Sequence, residues 1–241
     1  MIVKNEVIIL AIIQYKENNL VVKALSKQEG VKTFFLSRAS GKSKKKNRNN
    51  YQVFSMLELV SKTNSKSGLP RITESKNLHL LLNIRTEIGK NAMAFLLAET
   101  LSKCIQEEEA NPYLYQFVEQ QILTLDQCRS SYSNFHLYFI SQLTKHLGIC
   151  PSASNQKNTL FNIKDGEFTA YKPPHSHYLN VQESLLFERF LFEPWEQIQT
   201  IKLSGKKRSY LLGEILKYYQ YHVPGFELPK SLEILNEVFQ S

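Results

Sequence analysis

Arg38, Lys42, Lys44, Lys45, Lys46 and Arg48 place six cations in eleven consecutive residues, with no acid among them. Like charges at that density repel one another, and a polyanion with closely spaced charges neutralises them best. The chemistry on offer is electrostatic: holding the phosphate backbone of a nucleic acid. Lys16 and Tyr15 end an earlier apolar stretch. Tyr15, flanked by Gln14 and Lys16, is the ring most readily placed on a surface, where a base can stack on it. The plain alternative is a solvated loop with no partner. Short apolar runs and nearby rings (Phe34, Phe35, Tyr51, Phe54) argue against it, because cations beside rings are the two parts of a single-strand site. Most of those rings are expected in a core, and alternation lets only one of Phe34 and Phe35 face out.

Other chemistries find less support. Gly41-Lys42-Ser43 resembles the end of a phosphate-binding P-loop, but Leu36 stands where the first glycine is required. Lysines follow where that motif needs a helix, so nucleotide hydrolysis is excluded. Cys150, His175 and His177 share one irregular segment, with Cys128 further off. Structural zinc uses tight pairs of ligands, and His175-x-His177 is a poor chelate, so it reads as a surface pair beside Pro173 and Pro174. There is no H-E-x-x-H and no G-x-S-x-G. Glu107, Glu108 and Glu109 are consecutive and diverge around a helix. Leu212, Ile215, Leu216 and Tyr219 form a core stripe. The chain thus reads as a non-enzymatic binding protein with neither metal nor cofactor.

Charge and composition narrow the class. The 241 residues carry a net charge of +8, of which residues 1–76 hold +10 and the remainder −2. That asymmetry predicts an acidic partner for the first part only. The three cysteines, Cys104, Cys128 and Cys150, are odd in number and include no C-x-x-C, which predicts a reducing, cytoplasmic setting. The apolar run Val7 to Ile13 is too short for a bilayer span and has no cleavage site after it, so neither a signal peptide nor a membrane partner is expected.

The elements that must position these groups follow from periodicity. Val7–Ile13, Leu20–Leu25, Val31–Leu36, Gln52–Val60 and Leu69–Thr73 are five short apolar runs with turn signals between them, which predicts a small closed barrel over residues 1–76. From residue 77 the period becomes helical. Helices are expected over Ala92–Lys103, over Pro112–Leu123 behind an Asn111 cap, over Phe135–Leu147 before Gly148, after an Asn180/Glu183 capping box, over Lys206–Tyr221 and over Ser231–Phe239. Residues 149–178 read as a loop insertion. The fold class is α+β: a five-stranded barrel, then a helical domain over 77–241.

Several motifs, in order and spacing, give the chain a family likeness. Tyr15-x-Glu17, Gly30, the loop Ala39 to Ser43 and Tyr51-Gln52-Val53-Phe54 lie in the barrel. Tyr113, Phe117 and His146-Leu147-Gly148 lie in the central helices. Leu216-x-Tyr218-Tyr219, His222-x-Pro224-Gly225-Phe226 and Lys230-Ser231-Leu232-Glu233-Ile234-Leu235 close the chain. In these the chain resembles RecO, a bacterial family of DNA-repair and recombination mediators. The resemblance implies an oligonucleotide-binding (OB) barrel that binds single- and double-stranded DNA and anneals complementary strands. It implies work with RecR, and often RecF, in loading RecA onto DNA coated by single-stranded-DNA-binding protein (SSB), and docking of that protein's acidic, hydrophobic C-terminal tail. Arg129 and Lys145 are candidates for the tail on charge alone. Many relatives carry a four-cysteine zinc module where this chain keeps only Cys150, which implies a zinc-less insertion at 149–178. Two rivals are an RNA-binding OB protein and a nuclease; the latter needs clustered carboxylates, and residues 1–76 hold five scattered ones.

Overall fold

The computed structural model describes residues 2–15, 19–37, 50–63, 68–105, 109–129, 131–154, 156 and 158–240. The chain forms two compact units, residues 1–127 and 128–241.

Five strands close the barrel of the first unit: β1 (Ile2–Tyr15), β2 (Asn19–Ser26), β3 (Gly30–Ser37), β4 (Met56–Lys62) and β5 (Arg71–Asn77), in the order β1-β2-β3-β5-β4. The interior is Val7, Ile9, Val22, Ala24, Phe34, Tyr51, Leu57, Leu59 and Ile72. β1 is long enough to pair with β4 through its first half and with β2 through its second. The register is staggered, as closure requires. Stepping across paired residues from Ile2 leads through Lys62, Arg71, Phe35 and Val21 and returns to β1 at Ile13.

Within β1 the register shifts between Ile9 and Ala11. A bulge of this kind reverses which side chains face inward. Val7 and Ile9 point into the barrel before it, and Ile12 packs against that core after it. Ile8 and Leu10, of the other parity, are buried too, and helix α2 (Ile88–Cys104) packs on this strand. The continuous apolar run at Val7 is therefore a strand covered on both faces, whereas Ile13 and Tyr15 emerge into solvent. Of the adjacent rings, Phe34 is buried and Phe35 faces out, as alternation requires.

One expected strand begins late. Gln52 to Ser55 form a turn, and Phe54 adopts a left-handed φ of 64°. Its N–H donates to the Ile9 carbonyl at 2.8 Å, and the Ile9 N–H donates to Ser55 O at 3.0 Å. The left-handed backbone costs about 1–2 kcal/mol. Complete burial of the ring offsets it, at about 1.5–3 kcal/mol.

Helices α1 (Leu82–Thr86), α2 and α3 (Pro112–Gln127) complete the first unit. Asn111 Oδ1 accepts from the Leu114 N–H at 3.0 Å, so the sequence cap is a real one. Asp126 joins all three helices. Its carboxylate accepts from the Ile84 N–H, and its carbonyl accepts from Asn83 and from the fully buried Lys90, which also pairs with Glu87 at 3.0 Å.

The second unit holds α4 (Phe135–His146), α5 (Val181–Phe192), the short α6 (Trp195–Ile198), α7 (Gly205–His222) and α8 (Ser231–Gln240). Both halves of the Asn180/Glu183 capping box form. Gly148, at φ 71°, ends α4 with a Gly148 N–H bond to Lys145 O and an Ile149 N–H bond to Thr144 O, the pattern of a Schellman cap. The stretch 149–178, expected to be loop, carries a three-stranded sheet: β6 (Leu160–Asn162), β7 (Glu167–Thr169) and β8 (Tyr178–Leu179). Phe161 anchors it, with ring centroids 4.8 Å from Phe187, 5.0 Å from Phe168 and 5.5 Å from Tyr218. Ser184 Oγ accepts from the Phe161 N–H and donates to Leu179 O. His222 Nε2 bonds Ile163 O at 2.9 Å.

Two outcomes follow for stability. A Cβ at Gly148 meets nothing within 4 Å, so Gly148→Ala should cost about 1–2 kcal/mol from backbone conformation alone, read in urea unfolding followed by the sole tryptophan, Trp195. His136 is buried in α4, and desolvation, helped by the nearby Arg208 charge, pushes its imidazole down to about 3. The folded state thus holds His136 neutral where the unfolded chain protonates it. Its contribution is complete above about 6.5 and is lost as pH falls toward 3, with a slope of up to about 1.4 kcal/mol per pH unit. His136→Phe should flatten that slope in unfolding titrations between pH 7 and 4.

Candidate nucleic-acid interface

Strand register fixes where the candidate residues sit. Tyr15 pairs with Asn19, and Asn19 pairs with Ser37. The residues that follow Tyr15 and the basic stretch that follows Ser37 therefore start from the same corner of the barrel. Lys16, Arg38, Lys42, Lys44, Lys45, Lys46 and Arg48 themselves lie outside the described residues. Tyr15 is 48% exposed. Its ring meets that of Phe35 edge to face, with centroids 6.4 Å apart and planes at 78°. Beside them stand Ile13, exposed, and Val21, half-buried and paired with both Ile13 and Phe35. Arg71, exposed, is opposite Phe35 in the single parallel pairing of β3 and β5.

Three of the barrel's acids, Glu6, Glu29 and Glu58, are engaged near the start of β1, and Glu74 is exposed on β5. Glu58 pairs with Lys4 at 2.9 Å, and Glu6 with Lys27 at 2.7 Å. The Glu6 carboxylate holds the Lys27 ammonium above its ordinary range. Glu29 accepts from Asn5 at 2.7 Å. Lys23 donates to Ser102 O on α2, and burial lowers its pKa. These exposed pairs add little stability, at most about 1 kcal/mol each. Their effect is on potential: cations near the start of β1 are balanced by carboxylates, while Lys62 and Arg71 form no ion pair with a described residue. Among the described residues, the Tyr15 corner is thus aromatic and cationic.

The sequence flagged Tyr15 but not Phe35 or Arg71. Alternation marked one of Phe34 and Phe35 as outward. Nothing local links Phe35 to Arg71, whose pairing spans the whole basic stretch.

In the second unit, Arg129 is exposed and makes no hydrogen bond or ion pair with a described residue. Lys145 sits in a built setting. Its ammonium lies 5.5 Å from the centroid of Phe192 and donates to Gln142 Oε1 at 2.9 Å. Gln142 Nε2 donates to Phe190 O and Leu191 O, which fixes the amide and ties α4 to the last turn of α5. Phe192 and, two turns earlier, Leu185 are 43% and 49% exposed. Burial lowers the Lys145 pKa against an opposing effect of the Cys150 thiol. Here charge found the cation, but Phe192 and Gln142 come from packing that the sequence did not reveal.

The remaining candidates resolve simply. His175 and His177 have ring centroids 5.9 Å apart, and His177 lies edge to face with Tyr221. Both are half-buried against the small sheet. Among the described residues, no group of three or more His, Cys, Asp or Glu side chains is arranged to hold a metal ion. No described helix is long and apolar enough to cross a membrane.

Comparison with known proteins agrees with this geometry. The family model described as "Recombination protein O N terminal" matches residues 1–80, and "Recombination protein O C terminal" matches residues 85–232. The chain is similar to the DNA repair protein RecO of Flavobacterium psychrophilum, at 32% identity over 98% of this chain and 99% of the relative. It is similar to that of Christiangramia forsetii at 31%, over 99% and 100%, and to that of Bacteroides fragilis at 28%, over 99% and 100%. With a closed five-stranded barrel, a helical remainder and matches that run from one end to the other, this chain belongs to the RecO family.

Proposed function

We propose that the protein is a DNA-binding recombination mediator in DNA repair, and that residues 1–76 are its DNA-binding domain. The observation that carries this reading is the charge separation. An excess of +10 is concentrated on the barrel segment, Glu6, Glu29 and Glu58 are engaged near the start of β1, and an aromatic corner adjoins the basic stretch. The relatives' shared name, DNA repair protein RecO, supports DNA over RNA as the polymer.

The mechanism needs no covalent step, and the protein acts as a mediator rather than an enzyme. Annealing requires two polyanions to approach with their base edges free. Lys42, Lys44, Lys45, Lys46 and Arg48, with Arg38 and Lys16 beside them, neutralise phosphates on both strands. Phosphate contacts carry no sequence information, so any complementary pair can be served. Tyr15 offers a ring to an unpaired base. In this role the protein works with RecR, and in many settings RecF, to load RecA onto SSB-coated DNA in the cytoplasm at the nucleoid.

The helical unit serves the protein partners. The acidic, hydrophobic tail of SSB needs a cation beside exposed apolar surface. Lys145 above Phe192, with Leu185 on the same helix face, supplies that pairing. Arg129 is a second cation for the same tail.

Two measurements test this reading. Replacing Lys42, Lys44, Lys45 and Lys46 by alanine should weaken binding equally across DNA sequences. In anisotropy titrations it should flatten the dependence of log affinity on log salt, by about 0.7–0.9 for each phosphate that is no longer neutralised. Replacing the ion-paired Lys4 and Lys27 should leave that slope unchanged; an equal effect would refute the role assigned to the basic stretch. Lys145→Glu should abolish binding of an SSB tail peptide and slow annealing of SSB-coated strands, while annealing of naked strands continues. Undiminished peptide binding would remove Lys145 from the site.

A further inference from the structure

The charge of −2 carried by residues 77–241 conceals one concentrated exception. Lys202, Lys206, Lys207 and Arg208 fall within seven residues, and no acid occurs in the chain between Glu196 and Glu214. Arg208 works inward: its Nη1 donates to Leu203 O at 2.5 Å, and its guanidinium lies 6.0 Å from the centroid of the Phe239 ring. The three lysines have no such task. Lys202 and Lys206 are exposed and Lys207 is half-buried, and none forms an ion pair with a described residue. Elsewhere in this unit Lys217 pairs with Glu214 at 2.5 Å, and Lys145, Lys164 and Lys172 lie over the rings of Phe192, Tyr221 and Tyr178. The backbone that carries the cluster is held in place. Asn134 Nδ2 donates to Ile201 O at 2.8 Å, Arg208 holds Leu203 O, and Ser204 Oγ accepts from the Lys207 N–H at 3.3 Å. Lys206, Lys207 and Arg208 stand in the first turn of α7 with no acid among them, where the positive end of the helix repels them. The fold thus keeps a set of cations that it does not itself neutralise.

We propose that Lys202, Lys206 and Lys207 form a second phosphate-binding surface, which holds one DNA strand on the helical unit while the barrel holds the other. The inference rests on the DNA-binding reading above and gives the second strand a place of its own. Charge complementarity selects a polyphosphate chain. No large apolar side chain is exposed between Phe192 and Tyr210, so an acidic, hydrophobic peptide finds only half of what it needs here, whereas phosphates ask for charge alone. A strand held by its phosphates keeps its base edges free to pair. Two strands held by one chain also meet at an effective concentration set by that chain and not by their dilution in solution.

The test uses the full-length protein and three readouts: affinity for one labelled oligonucleotide, capture of two non-complementary oligonucleotides that carry a donor and an acceptor dye, and the annealing rate of naked complementary strands. Glutamine in place of Lys202, Lys206 and Lys207 leaves the Asn134 and Arg208 bonds untouched, and unfolding followed by Trp195 verifies the fold. Two-strand capture and annealing should fall about tenfold or more, while affinity for the first oligonucleotide, taken by the more highly charged barrel, changes less than about twofold. Lys206→Glu, a single exposed change, should act in the same direction, and arginine at all three positions should preserve every readout. Undiminished capture of the second strand would overturn the surface, as would a loss of first-strand affinity equal to the loss of capture. Loss of SSB tail binding with two-strand capture intact would overturn it too and assign the lysines to an acidic peptide. Failure of this surface alone is distinguishable from failure of the DNA-binding reading. In the first case the four-lysine barrel variant still binds DNA more weakly while the glutamine variant behaves as the unaltered protein; in the second, the unaltered protein binds neither oligonucleotide.

Discussion

The register shift in β1 is the constraint on which the barrel surface depends. Val7 and Ile9 face inward, and without an extra residue the same parity would send Ala11, Ile13 and Tyr15 inward as well. Accommodating Leu10 reverses the alternation, so that Ile12 joins the core and Ile13 and Tyr15 turn to solvent. The same shift coincides with the point where β1 exchanges partners, from β4 to β2, and with the two bonds between Ile9 and the Phe54–Ser55 turn. One irregularity thus lets a single strand serve as a fully covered core element at Ile8 and as a solvent-facing edge at Tyr15.

Electrostatics follow from that geometry rather than from composition alone. A net charge says that a partner is acidic, not where it lies. Strand pairing sorts the charges: Lys4 with Glu58 and Lys27 with Glu6 cancel locally, whereas Lys62 and Arg71 stand side by side between Ile2 and Phe35. In the helical unit the corresponding device is smaller. A glutamine clamped by two backbone carbonyls presents its own oxygen to Lys145, which keeps that ammonium over Phe192.

Much of this was legible in the sequence where the signal is local. Caps at Asn111, Asn180 and Gly148 depend on residues within five positions, and each formed as read. The barrel followed from five short runs, and the outward placement of Tyr15 from its polar neighbours. What could not be read is non-local. Phe54 belongs by composition to a strand, and only the carbonyl of Ile9 holds it in a left-handed turn. The strands at Leu160, Glu167 and Tyr178 are two or three residues long, too short for any period, and they owe their order to Phe187 and Tyr218 far away in the chain. Phe35 meets Arg71 because the barrel closes, and Phe192 meets Lys145 because two helices pack.

The attachment points of the basic stretch carry one more implication. On one side, Ser37 is locked into the β2–β3 ladder; on the other, Asn50 bonds Asn77, and Tyr51 and Phe54 are sunk in the interior. Both anchors have partners within the described barrel. The entropy of closing a tether grows only logarithmically, by about 0.6 kcal/mol for each doubling of its length. Insertions or deletions between Ser37 and Asn50 therefore change that cost little, which leaves the length and charge of the stretch open to variation without loss of the barrel.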